Sequence, residues 1–327
     1  MVSFTAVLSV LVATTVVNVA GYAFPRACSG ICGNAHDSSV IRRSDGTYIR
    51  YATGAKIAMH IAPSIAGPWE FVGAAIPRGS RINLKGRDDL WAPDVSRVGA
   101  NYYLYYSVSS FGVQQSAIGW ATSSDGLRWT DRGSAGITSR QGDNFNAIDA
   151  QLFVDDSGAK YMNFGSFWAD LHQVRIPDSA FSASAGATRN AQQTIFDPAG
   201  EHAVEAAFLY QHGDSYFMFF SKGSCCALDK NRPAPGKEYR IMVCKASSPQ
   251  GPFRDRSGRS CADGGGTVVL PSHDWLYAPG GQSVYKDAEL GPVLVYHYVD
   301  TRIGYSDGQK KFGWNTLDFS SGWPVAE

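Results

Sequence analysis

The chain has 327 residues, with 29 Lys and Arg against 29 Asp and Glu, and so no formal net charge. Without a long basic run it has no electrostatic footprint for a nucleic-acid backbone or an anionic membrane surface, and neither is expected as a partner. Charged residues are only 18% of the total while aromatics reach 13% and glycines number 35, a balance that favours short strands and tight turns over helical bundles and argues against wholesale disorder.

Residues 4–20 are uncharged and mostly apolar, and a small-residue stretch, Ala20-Gly21-Tyr22-Ala23, precedes the polar sequence. The run is shorter than the ~20 residues of a spanning helix. Residues 1–20 therefore read as a signal peptide cut near 20–23, which predicts a secreted, extracellular protein. Residues 24–327 follow as a single domain. They hold Cys28, Cys32, Cys225, Cys226, Cys244 and Cys261, an even set that in an oxidising compartment predicts disulfides without fixing how they pair. No second Cys/His pair completes Cys28-x-x-x-Cys32 as a zinc site.

From there one pattern recurs. An acidic or amide residue leads a short β-prone run, a turn follows, and then comes an aromatic-rich run. The first unit runs from Asp37 to Gly54 with Ser44-Asp45-Gly46 as its turn, and the second from Asp94 through Tyr102–Tyr106. The third opens at Asp149, turns at Asp156-Ser157-Gly158 and ends on Phe167-Trp168. The fourth opens at Glu205 and turns at His212-Gly213-Asp214, and the last spans Gln282 to Asp300. Further strands follow, at 117–122 and 239–244. Hairpins repeated about every 55 residues, with no sustained helical periodicity, predict an all-β, five-bladed β-propeller rather than a TIM barrel.

Equal phase in such a repeat means equivalent position around the axis, with the first strand of each blade lining the central channel. Asp37, Asp94, Asp149 and Glu205 are thus expected at one locus. Carboxyls crowded and partly desolvated there must separate in pKa, which is what hydrolysis of a glycosidic bond by one acid and one base requires. Trp91, Phe111, Phe167 and Trp168 flank the same positions and offer planes on which sugar rings stack.

The segments Ala27–Cys32, His36-Asp37, Asp88–Asp94, Tyr105–Gly112, Ser116–Ser123, Asn146–Asp149, Asn163–Trp168, Cys225-Cys226, Asp263–Leu270, Pro279–Tyr285 and Phe312–Pro324 together resemble the secreted fungal endo-1,5-α-L-arabinanases of glycoside hydrolase family 43. The resemblance spans the mature chain. It implies an inverting mechanism in which Asp37 is the general base, Glu205 the general acid and Asp149 the residue that tunes the acid's pKa and orients substrate. Inversion implies carboxyls about 6.5–9.5 Å apart, with room for a water. His36, Trp91, Asp94, Phe111, Asn146, Ser166 and Trp168 are expected to contact substrate, an arabinan polysaccharide. Glu205→Gln is expected to abolish hydrolysis.

Two departures stand out. The family's prolines after the catalytic residues are replaced by Ser38, Ala150 and Ala206, which loosens the backbone aiming each acid. The histidine that bacterial members direct at an ion or water cluster is missing from Gly280-Gly281-Gln282, leaving His297 as a possible substitute ligand. A structural calcium is conceivable and no cofactor is required. The protein is expected to act as a monomer. An exo-acting arabinofuranosidase or β-xylosidase of the same fold, or a non-catalytic sugar-binding propeller, remain alternatives.

Overall fold

The computed structural model describes residues 21–184 and 186–327; the signal peptide predicted for residues 1–20 lies outside them. The described chain is nearly all β. It forms five four-stranded antiparallel sheets, each with its strands in chain order. The first comprises β1 (Ser39–Arg42), β2 (Tyr48–Ala52), β3 (Ala58–Ala62) and β4 (Glu70–Ala74). The second holds β5 (Leu90–Val98), β6 (Asn101–Val108), β7 (Ser116–Ser123) and β8 (Thr130–Ser139). The third holds β9 (Gln151–Val154), β10 (Lys160–Phe164), β11 (Leu171–Ile176) and β12 (Gln192–Ile195). The fourth holds β13 (Val204–His212), β14 (Ser215–Lys222), β15 (Arg240–Ala246) and β16 (Thr267–Leu270). The fifth holds β17 (Leu276–Asp287), β18 (Gly291–Asp300), β19 (Lys311–Asp318) and β20 (Val325–Ala326). These are the five blades of a propeller.

The aromatic-rich runs become the second strands because those strands are buried on both faces. Side chains alternate between faces with period two. On β6, Tyr102, Leu104 and Tyr106 pack toward the first blade while Tyr103 and Tyr105 pack toward the third. On β14, Met218 and Phe220 face the third blade while Phe217 and Phe219 face the fifth. The core is therefore a series of apolar layers between neighbouring blades. Burying one such ring contributes on the order of 2–3 kcal/mol.

The ring closes through the segment before β1, without exchange of strands between the first and last blades. Ser29 and Ile31 exchange backbone bonds with Ala66 and Trp69 of the first blade, while Arg26 N–H donates to Trp314 O of the fifth, whose Phe312 N–H donates back to Cys32 O. The Cys28–Cys32 disulfide fixes this segment. The remaining cysteines pair as Cys225–Cys226 and Cys244–Cys261.

Candidate active site

Each first strand enters the channel through a residue in the left-handed region: Asp37 (φ 48°), Ala92 (44°), Asp149 (58°), Ala206 (58°) and Gly281 (56°). These five are the true equivalents around the axis. A bend of this kind leaves an inward N–H without a ladder partner, and such a group must find one. In four blades the partner is a side chain near the end of the second strand of the preceding blade. Thr53 Oγ1 accepts from Ala92, Ser107 Oγ from Asp149, Ser221 Oγ from Gly281, and His297 Nδ1 from Asp37, at 2.8–3.2 Å. At the fourth blade Asp149 Oδ2 itself accepts the Ala206 N–H, at 3.1 Å. Asp149 is thereby tied to the residue that follows Glu205.

The register corrects two expectations. Asp94 lies two positions beyond the bend, where side chains staple blades together. Ser39 Oγ accepts Val95 N–H, Asp94 Oδ2 accepts Leu152 N–H, and Gln151 Oε1 accepts Leu209 N–H. Asp94 is buried and burial pushes its carboxyl up to about 7; it lines the same channel as Asp37 and Asp149 while its carboxylate holds the Leu152 N–H of the next blade. Ala206 is not a proline position, since proline holds φ near −65°. The residue in register with Ser38 and Ala150 is Ala207, and the second blade carries Pro93 there.

Asp37, Asp149 and Glu205 converge. The channel is lined by Asp37, Asp149 and Ala206 together with Gly281 and Gln282. Burial, then the charges of Glu205 and Asp37, push Asp149 well above the usual carboxyl range. Burial first, then Asp37, also raises Glu205. Two hydroxyls oppose that rise: Ser166 Oγ donates to Glu205 Oε2 at 2.7 Å, and Tyr239 Oη to Oε1 at 2.9 Å. Asp149 is thus a raised carboxyl in its own right, and the pair titrates as a unit. Thr53 Oγ1 donates to Asp37 Oδ2 at 2.6 Å.

His297 Nδ1 accepts the Asp37 N–H, so its proton sits on Nε2 and the 3.5 Å approach to Asp37 Oδ1 is no ion pair. Burial holds this ring well below the usual histidine value. With Nδ1 occupied and Nε2 protonated, His297 is no ready metal ligand. Among the described residues no group of three or more His, Cys, Asp or Glu is placed to hold an ion.

The other expected contacts divide. The loops after β6 and β10 open on the same end of the propeller as the bends, and carry Phe111, 82% exposed, and Trp168, 38% exposed. Ser166 reaches Glu205. Trp91, beside Ala92, donates from Nε1 to Asp89 Oδ2 at 3.1 Å. His36 donates from Nε2 to Asp307 O at 2.8 Å. Asn146 is buried, and its Oδ1 accepts from Ser139 Oγ at 3.4 Å.

Sequence reasoning missed Tyr239 and Thr53. Tyr239 sits at the head of an apolar strand and looks like core, and Thr53 closes an aromatic run; neither position carries a signal. Tyr239→Phe removes a donor that favours ionised Glu205. The alkaline limb of kcat/KM should move to higher pH and kcat fall about tenfold, the loss of one hydrogen bond of about 1.4 kcal/mol. An unshifted limb in a pH–rate profile would detach Tyr239 from the acid.

Residues 31–324 match the model of the glycosyl hydrolases family 43. The chain is 56% identical over 319 residues to the probable arabinan endo-1,5-alpha-L-arabinosidase A of Emericella nidulans, covering 96% of this chain and 97% of that one. Among solved structures it is similar to a GH43 endo-arabinanase from Bacillus licheniformis (TM-score 0.79, 30% identity, 91% of this chain and 99% of that one). It is also similar to the Cellvibrio cellulosa alpha-L-arabinanase complexed with arabinohexaose (TM-score 0.77, 25% identity, 91% and 96% covered). The five blades, the converging carboxyls and this full-length match place the chain in glycoside hydrolase family 43.

Proposed function

We propose that the protein is a secreted endo-1,5-α-L-arabinanase that cleaves internal arabinofuranosidic bonds of arabinan with inversion. The observation that carries this reading is the convergence of three carboxyls: Asp37 and Asp149 line the channel, the charges of Glu205 and Asp37 act on Asp149, and Glu205 is itself buried so that its protonated form is favoured. Glu205 gives its proton to the departing sugar oxygen as the anomeric carbon–oxygen bond breaks. A water on the opposite face attacks that carbon, and Asp37 takes the water's proton. Asp149 holds the Ala206 N–H and so aims the strand that carries the acid. The exposed rings of Phe111 and Trp168 give sugar units a stacking surface beside the cut.

The fungal and Bacillus relatives named as endo-acting favour internal cleavage, and the disulfides agree with an extracellular site of action. One chain carries every group of the mechanism, in keeping with a monomer. Digestion of linear arabinan tests the reading. Short oligomers whose new reducing ends are first released as the β-anomer are expected. Monomer alone would indicate an exo-acting enzyme, and binding without cleavage a lectin.

A further inference from the structure

A buried cation stands behind the site. Lys310 is fully buried. Its Nζ donates to Cys225 O at 2.8 Å, lies 3.1 Å from Asp307 Oδ1 and approaches Cys226 Sγ at 4.0 Å. Asp307 also accepts the Ala227 N–H on its carboxylate and the His36 Nε2–H on its carbonyl. Lys310 O accepts the Ala35 N–H. The 307–310 turn is therefore held on one side by the loop bearing the Cys225–Cys226 disulfide and on the other by the two residues that lead into Asp37.

A lysine with no exposed surface loses its hydration and most of its rotamer freedom, a cost that solvent-facing stabilisation does not explain. From its position, aromatic contacts run to the acid: His36 lies 5.0 Å from His297, His297 stacks on Tyr239 at 5.8 Å, and Tyr239 donates to Glu205.

We propose that Lys310 is a positioning residue of this active site, clamped between the Cys225 carbonyl and the Asp307 carboxylate so that its fixed positive charge is held behind Glu205 and His36 while its turn holds the His36-Asp37 backbone. The inference rests on the reading of Glu205 as the acid. The groups facing this charge are Asp307 on its own turn, His36 and Asp37 before β1, His297 on β18, Glu205 on β13 and Tyr239 before β15. Burial, then the charge of Lys310, lowers His36 and His297, with Asp307 opposing the fall at His36; in Glu205, which burial raises, the charge of Lys310 opposes the rise. With Nε2 committed to Asp307 O, a neutral His36 offers Nδ1 as an acceptor, which a protonated ring would not.

Two variants of opposite sign test this on linear arabinan. Lys310→Met removes the charge and keeps the length of the side chain. The alkaline limb of kcat/KM, which reports the free enzyme's acid, should move up by about half a pH unit or more. Asp307→Asn leaves the ammonium without its counter-charge, and the same limb should move down. Opposite shifts support the proposal. If Lys310→Met does not fold, the downward shift of Asp307→Asn supports it alone. An unshifted limb in Asp307→Asn, or activity in both variants that falls only in step with lost thermal stability, overturns it. Failure of the underlying reading would show separately, as near-normal turnover by Glu205→Gln.

Discussion

Glu205→Gln should lose about a thousandfold or more in kcat on arabinan, within the range that positioned general acids supply, and should fold normally. The amide matches the carboxyl in size, and the Ser166 and Tyr239 hydroxyls, which now donate to it at 2.7 and 2.9 Å, can each donate to an amide oxygen or accept from an amide N–H. Stability gives an independent reading. The folded pKa of Glu205 is raised by burial, so its contribution is greatest below the ordinary glutamate value and is lost as pH rises through the folded value. The variant should therefore melt close to the wild type at pH 4 and above it at pH 8. A further discrimination uses the leaving group. An aryl arabinofuranoside with an acidic phenol departs without a proton, so Glu205→Gln should recover much of its rate on it, whereas Asp37→Asn should not. Near-normal hydrolysis of arabinan by Glu205→Gln would take the acid's role from this residue.

The fold was legible where side chains alone decide position. Second strands buried on both faces must be almost wholly apolar, and Tyr102–Tyr106 and Phe217–Phe220 announce them. Asp37 and Asp149 were legible too, because both occupy the bend itself. The register of the bend was not. Its five residues are Asp, Ala, Asp, Ala and Gly, since a left-handed backbone with a satisfied N–H is a property of the main chain and its neighbours, with no residue type to mark it. Asp94 and Asn146 show a related limit: their polar atoms also serve the scaffold, Asp94 binding the Leu152 N–H while lining the channel and Asn146 lying against Ser139. Glu205 leads the bend by one residue, and its carboxyl is met by Ser166 from the blade before and Tyr239 from before the third strand of its own blade. Contacts of that kind join segments about 35 to 40 residues apart in ways spacing does not encode. The pairing of Cys225 with its immediate neighbour was likewise closed to sequence arithmetic, which lists possible partners and ranks none.

Gly281→Ala should cost about a hundredfold in kcat/KM while leaving the propeller folded. The backbone alone does not demand glycine: Asp37, Ala92, Asp149 and Ala206 carry a Cβ at φ 44–58°, beside Gly281 at 56°. What differs is the space above the residue. A Cβ on Gly281 would stand 2.3 Å from Asp37 Oδ1, 2.6 Å from His297 Cε1 and 2.7 Å from His297 Nδ1. His297 is fully packed and holds the Asp37 N–H, so the yielding partner is the Asp37 carboxylate, held by the single Thr53 hydroxyl. Displacing a base by about 1 Å is enough to cost two orders of magnitude. Stability should fall by only about 1–3 kcal/mol, the usual toll of overpacking. The signature is thus a large loss of turnover with a small change in melting temperature, and in pH–rate profiles the alkaline limb set by Glu205 should hold its place. Wild-type rates from Gly281→Ala would mean that the Asp37 carboxylate can leave this position without consequence, and the water it activates would have to be sought elsewhere.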